Sequence, residues 1–145
     1  MSVLSAIFGI PLDRKAREAA YRAMTGDLRG PQAFAHMLSG VQHNTEKAGA
    51  LLASQGMFAV ACVFALDHQW PLAPTLGATL LLLAGAMLAM SILRSSASPF
   101  LAAQADPARG AFDLLVSRMV RFNLALYMTF LSVLLLAIAA MSLVL

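Results

Sequence analysis

Two long apolar blocks, residues 48–66 and 76–93, stand close together, and a third, 122–145, closes the 145-residue sequence; almost no charge interrupts any of them. Each is long enough to cross the hydrocarbon core of a bilayer, which takes roughly 20 helical residues. At 60% hydrophobic and 12% charged, the sequence is more apolar than an ordinary soluble domain, in which about half the residues are apolar and about a quarter charged. The expected fold is all-α and integral to a membrane. Three transmembrane helices are expected over about 48–66, 75–93 and 122–145, together forming a bundle across 48–145. A cytosolic or interfacial helical segment precedes them over 1–47.

The formal net charge of +3 raises the question of nucleic acid, and the placement of the charges answers it. They lie beside the membrane blocks, where Lys and Arg set topology and meet anionic head groups. They do not form the basic cluster with aromatic stacking partners that a nucleic-acid surface needs. The bilayer is the expected partner, and nucleic acid is not. Arg14, Lys15, Arg17, Arg22, Arg29 and Lys47 precede the first span, and Arg94, Arg109, Arg118 and Arg121 lie between the second and third. The turn at 67–73 has no Lys or Arg. The positive-inside rule then puts the N-terminus and 94–121 in the cytoplasm, and the 67–73 turn and the C-terminus on the opposite side. The lone cysteine, Cys62, falls inside the first block; it permits no intramolecular disulfide and reads as a small buried residue. Residues 1–10 are apolar without a basic leader and are not read as a signal peptide.

Residues 13–24 (DRKAREAAYRAM) are Ala-rich with no Gly or Pro, a helix with Asp13 as N-cap. The TGDLRG stretch at 25–30 breaks it, and Pro31 suits the first turn of the next helix, where its missing N–H is not needed. No proline follows until Pro71, so 31–66 reads as one long helix whose second half crosses the membrane. Trp70 suits the membrane–water interface, and Pro71 and Pro74 separate the first two spans. Residues 95–110, with Pro99, Pro107 and Gly110, read as a loop. Residues 111–121 are amphipathic and run directly into the third span.

The segment HNTEKAG at 43–49 is the most unusual. His43, Glu46 and Lys47 are neighbours on a helix, so they are candidates for a ligand site at the membrane edge. The competing reading is a plain boundary, with Lys47 snorkelling and Glu46 paired to a neighbouring Arg; residue types alone favour the boundary. His36 and His43 share a helix face, but two His two turns apart on one helix make a poor metal site, because such sites converge ligands from several helices. No metal and no resident cofactor is expected. No nucleophile, base and orienting group can be assembled, so no enzymatic activity is expected. Small residues recur in the spans at Gly49 and Ala53, and at Gly85 and Ala89, where close helix packing replaces the hydrophobic force that lipid removes. Asn123, Tyr127, Thr129 and Ser132 are candidates for hydrogen bonds across helices.

The stretch 46–64, EKAGALLASQGMFAVACVF, resembles the opening of the first membrane helix in small bacterial defence effectors of the Pycsar type and their two-helix relatives. The acidic-Lys-Ala-x-x-Leu-Leu pattern is matched by Glu46, Lys47, Ala48, Leu51 and Leu52, with Asn44-Thr45-Glu46 where the family often has Asp or Asn directly before Lys-Ala. A second apolar helix, a polar segment with Ser98-Pro99, and a basic helix entering the last span are also similar. The resemblance implies a non-enzymatic, oligomeric, membrane-disrupting effector in antiphage defence, switched by a cyclic nucleotide at a cytosolic surface. Arg109, Arg118, Arg121 and Lys47 are then the expected phosphate contacts, with Glu46 and His43 beside them. The alternatives are an accessory subunit of a larger membrane complex, or a holin-like pore.

Overall fold

The computed structural model describes residues 13–26, 28, 30–94 and 106–143. Among these residues there are four helices and no strand: α1 (Arg14–Thr25), α2 (Gly30–Asp67), α3 (Leu72–Arg94) and α4 (Pro107–Met141). The N-terminal lead, Arg29, most of the 95–110 loop with Ser98-Pro99, and the last two residues of the third span lie outside the described residues. Three helices, α2, α3 and α4, are long and apolar enough to cross a membrane. The fold is therefore all-α and, by helix length and composition, that of a multi-pass membrane protein.

The chain divides into two compact units, one joining Met1–Glu46 to Ser95–Arg121, the other joining Lys47–Arg94 to Phe122–Leu145. The segment 106–121 is grouped with the N-terminal residues. The reason is its amphipathic face: Ala111, Phe112, Leu115 and Val116 close a core with Met37 and Val41 of α2. Tyr21 of α1 meets Phe112 edge-on, ring centroids 5.3 Å apart. Asp13 occupies the N-cap position of α1 in extended conformation, but its side chain makes no capping bond.

In the second unit, burial follows a strict alternation of three- and four-residue steps. On α3 the buried positions are Thr75, Ala78, Leu82, Gly85, Ala89 and Ile92. On α4 they are Ala125, Thr129, Ser132, Leu136 and Ala139, and on α2 Ala48, Leu51, Gln55, Cys62 and Ala65, with half-buried Phe58 keeping the step between Gln55 and Cys62. That 3.5-residue period is the signature of left-handed, coiled-coil-like packing. What fills the seam is unusual for water and normal for lipid. Inside, Ala, Gly, Ser, Thr and Gln stand among a few larger residues, Leu51, Leu82, Ile92 and Leu136; outside are large apolar side chains such as Met57, Leu80, Met87 and Phe130, each about 70% exposed. With hydrocarbon as solvent, burying a leucine gains little, and helices associate through close approach of small residues and interhelical hydrogen bonds. Gly85 shows how close: a Cβ there would lie 2.9 Å from Gln55 Nε2 and 3.2 Å from the Ala125 carbonyl oxygen.

The 67–73 turn is a Schellman motif. Trp70 N–H donates to the Ala65 carbonyl at 3.0 Å and Gln69 N–H to that of Leu66 at 3.3 Å, which places Gln69 at the left-handed position with φ 55°. Glycine is the usual occupant there. The accompanying hydrophobic contact is Trp70 against Phe64, edge-on at 6.4 Å.

Candidate functional site

The first unit holds a cleft of about 270 Å³ walled by α1 and the start of α4. Helical spacing builds it. Arg14, Arg17, Glu18 and Tyr21 recur at i, i+3, i+4 and i+7, so they share one face of α1. Arg109, Phe112 and Asp113 repeat the i, i+3, i+4 pattern on α4. The cleft thus gathers three guanidinium groups, two carboxylates and two rings. Arg109 Nη2 donates to Glu18 Oε2 at 2.7 Å, and its backbone N–H to Asp106 Oδ1 at 3.2 Å. Glu18 also lies 3.7 Å from Arg22. Burial of the Tyr21 phenol, together with Asp106 and Glu18, raises its pKa above the ordinary value, and Arg109 opposes the shift. A planar, permanently charged guanidinium beside an aromatic face suits a ligand that is anionic at one end and flat at the other.

The residues of the first unit expected from sequence to bind a ligand do not gather in the cleft. Arg109 alone of the six lines the cleft. Arg118 is buried, 5% exposed, and Nη1 donates to Thr45 Oγ1 at 2.7 Å and to the Val41 carbonyl at 3.4 Å. It ties α4 to α2 within the first unit's core and is not a surface phosphate contact. His43 and Glu46 are exposed and face one another, Nδ1 to Oε2, at 3.8 Å. Lys47 and Arg121 are exposed, and Lys47 belongs to the second unit. Among the described residues no three potential metal ligands gather.

Of the four small residues singled out for packing, Gly85 and Ala89 sit on the inner seam, while Gly49 is half-buried with open space at its Cβ position and Ala53 is exposed. Two of the polar residues expected to bond across helices do so. Thr129 Oγ1 accepts from Gln55 Nε2 at 2.7 Å, and Ser132 Oγ donates to the Ala78 carbonyl at 2.8 Å. Sequence reasoning missed Arg14, Arg17, Glu18, Tyr21, Phe112 and Asp113. The signal was the i, i+3, i+4 repeat of cation and ring on two separate amphipathic stretches.

Compared with protein-family models, with curated proteins and with solved structures, the chain matches none.

Proposed function

We propose that the protein is a non-enzymatic, oligomeric effector of a bacterial inner membrane. In this reading it binds a cyclic nucleotide produced on infection and then compromises the membrane as part of antiphage defence. The observation that carries the reading is the cleft. Its guanidinium groups suit a phosphodiester and its Tyr21–Phe112 corner suits a base, and both belong to a chain whose other unit is three apolar, lipid-type helices. The resemblance of residues 46–64 to Pycsar-type effectors supports the same conclusion. Charge placement supports a cytoplasmic N-terminus and a periplasmic C-terminus.

Two helices, α2 and α4, contribute to both units, which gives ligand binding a covalent route to the membrane segments. The test is dye release from vesicles of inner-membrane lipid carrying the full chain, challenged with a panel of purine and pyrimidine 3′,5′-cyclic nucleotides. Release with at least one of them, abolished by Arg109→Ala and by Tyr21→Ala, is the expected result. Absence of binding and release with every nucleotide, combined with co-purification in a stoichiometric complex with other membrane proteins, would establish the accessory-subunit reading instead.

A further inference from the structure

Gln55 is the least expected residue of the second unit. It sits midway along the membrane part of α2, is 2% exposed, and makes one hydrogen bond, from Nε2 to Thr129 Oγ1. Its carbonyl oxygen Oε1 has no hydrogen-bond partner among the described residues. In hydrocarbon no water is available to supply one, and an unmet amide carbonyl is costly. Gln55 also lines an apolar groove of about 300 Å³ between α2 and α3. The groove's other walls include Gly56 and Ala59 of α2, and Ala86 of α3, small residues that let a backbone come near, with Leu52 and Leu83 at its sides. A Cβ at Gly56 would meet nothing within 4 Å.

We propose that this groove receives α2 of a second copy of this chain, and that the two Gln55 carboxamides pair reciprocally across a two-fold axis. The proposal rests on the self-association reading above and names the face that mediates it. Complementarity selects the occupant. Each Gln55 lacks a donor for its carbonyl, and the amide proton released from Thr129 can be given to the carbonyl of the other copy, so the two carboxamides pair reciprocally. An isologous contact requires such a self-complementary patch. Reaching the groove takes a rotation about the flexible Gln55 side chain and the release of Thr129. That release leaves Thr129 satisfied, because its hydroxyl already donates to the Ala125 carbonyl at 2.8 Å.

The experiment uses the full chain in lipid vesicles. In a Cys62→Ala background, single cysteines at Gly56 or Ala59 should cross-link between copies under mild oxidation. Cysteines at Leu80 or Phe130, which are exposed elsewhere, should cross-link only at the level of random collision. By energy transfer between labelled copies on lipid dilution, Gln55→Leu should weaken association about threefold, the scale of one interhelical hydrogen bond in a bilayer. Thr129→Val, which removes the internal acceptor and leaves the Gln55 amide in place, should keep or tighten association, so a loss seen only in Gln55→Leu is not a folding defect. Association unchanged by Gln55→Leu, or cross-links concentrated at 80 or 130, overturns the assigned face while self-association stands. A monomer at every lipid dilution overturns both, as does a particle in which groove cysteines are protected by a different protein.

Discussion

One added methyl group at Gly85 should loosen the membrane unit by about 1–3 kcal/mol. Gly85 lies on the inner seam of α3, and an alanine Cβ there would stand 2.9 Å from Gln55 Nε2, 3.2 Å from the Ala125 carbonyl oxygen and 3.5 Å from Met128 Cβ. The first obstacle is the end of a flexible side chain and can move. The second is backbone and cannot move without shifting α4. Overpacking of this kind costs about 1–3 kcal/mol. Displacing the Gln55 amide also removes its bond to Thr129, worth about 0.6 kcal/mol on average in a bilayer. Against these stands the helix preference of Ala over Gly, about 0.5–1 kcal/mol. The control is Gly49→Ala, where the same helix preference applies and the Cβ meets nothing within 4 Å; it should be neutral or slightly stabilising. Reversible unfolding in bicelles, followed by circular dichroism at dilutions that keep the chain monomeric, measures both. The double variant Gly85→Ala with Gln55→Ala should recover part of the loss, since it removes one of the two clashes, and the cycle reports their coupling. If Gly85→Ala proves as stable as Gly49→Ala, the close approach of α3 to α2 and α4 at this level is wrong.

Gln69→Gly should raise the stability of the same unit by up to about 1 kcal/mol, because the left-handed conformation at φ 55° strains a residue with a Cβ and not glycine; no gain in the bicelle unfolding midpoint would refute that turn. Arg118→Ala should destabilise the first unit by about 1.5–3 kcal/mol, the range for hydrogen bonds made by a charged group, and speed amide exchange in residues 37–46, whereas a surface phosphate contact would leave exchange there unchanged. The Tyr21 phenol should ionise above the usual value of about 10. Its raised pKa means the fold holds the proton more tightly than the unfolded chain does, so the associated stability is present below that ordinary value and lost as pH climbs through the folded one. Ultraviolet difference spectra should show Glu18→Gln and Asp106→Asn lowering the ionisation pH and Arg109→Ala raising it, following the causes of the shift.

The spans were legible because hydropathy is a sum over some 20 residues and tolerates local error. The long α2 was legible because no proline stands between Pro31 and Pro71. Which small residues face inward was not legible. Gly49 and Gly85 are the same residue, and a helix that is apolar all round carries no amphipathic signal to orient it. The signal available was the polar minority: Gln55, Thr129 and Ser132 all lie on the seam, as lipid requires of groups that need partners. For the ligand site, the error lay in treating the arginines of α4 as one set. Arg109 and Arg118 are nine residues apart, which at about 100° per residue turns them to opposite sides of the helix. One accordingly reaches Glu18 of α1 and the other Thr45 of α2. The Arg109–Glu18 pairing spans 91 residues, and no local pattern announces it.

The inverted polarity of the second unit has a consequence for any switching role. Most of its large apolar residues face outward, where lipid replaces them at little cost, so the described interhelical bonds from Gln55 and Ser132 and the fit of the seam, where Leu51, Leu82, Ile92 and Leu136 stand among small residues, are what hold this arrangement against others. Each such bond is worth about 0.6 kcal/mol on average. Moving a two-state equilibrium from 1:99 to 99:1 takes about 5.5 kcal/mol of differential binding, and a micromolar ligand brings about 8 kcal/mol in all. A ligand in the cleft that favours a rearranged state with two-thirds of its binding energy would therefore suffice to exchange an internal Gln55–Thr129 bond for an intermolecular Gln55 pair. On the effector reading, the modest strength of these bonds, which makes the unit easy to rearrange, is then a functional property. A variant that strengthens the internal seam, such as Ala89→Ser if its hydroxyl finds a carbonyl across the helix interface, should raise the nucleotide concentration needed for dye release without changing nucleotide affinity in the isolated resting state; an unchanged release threshold in a seam-stabilised protein would break the link between packing and response.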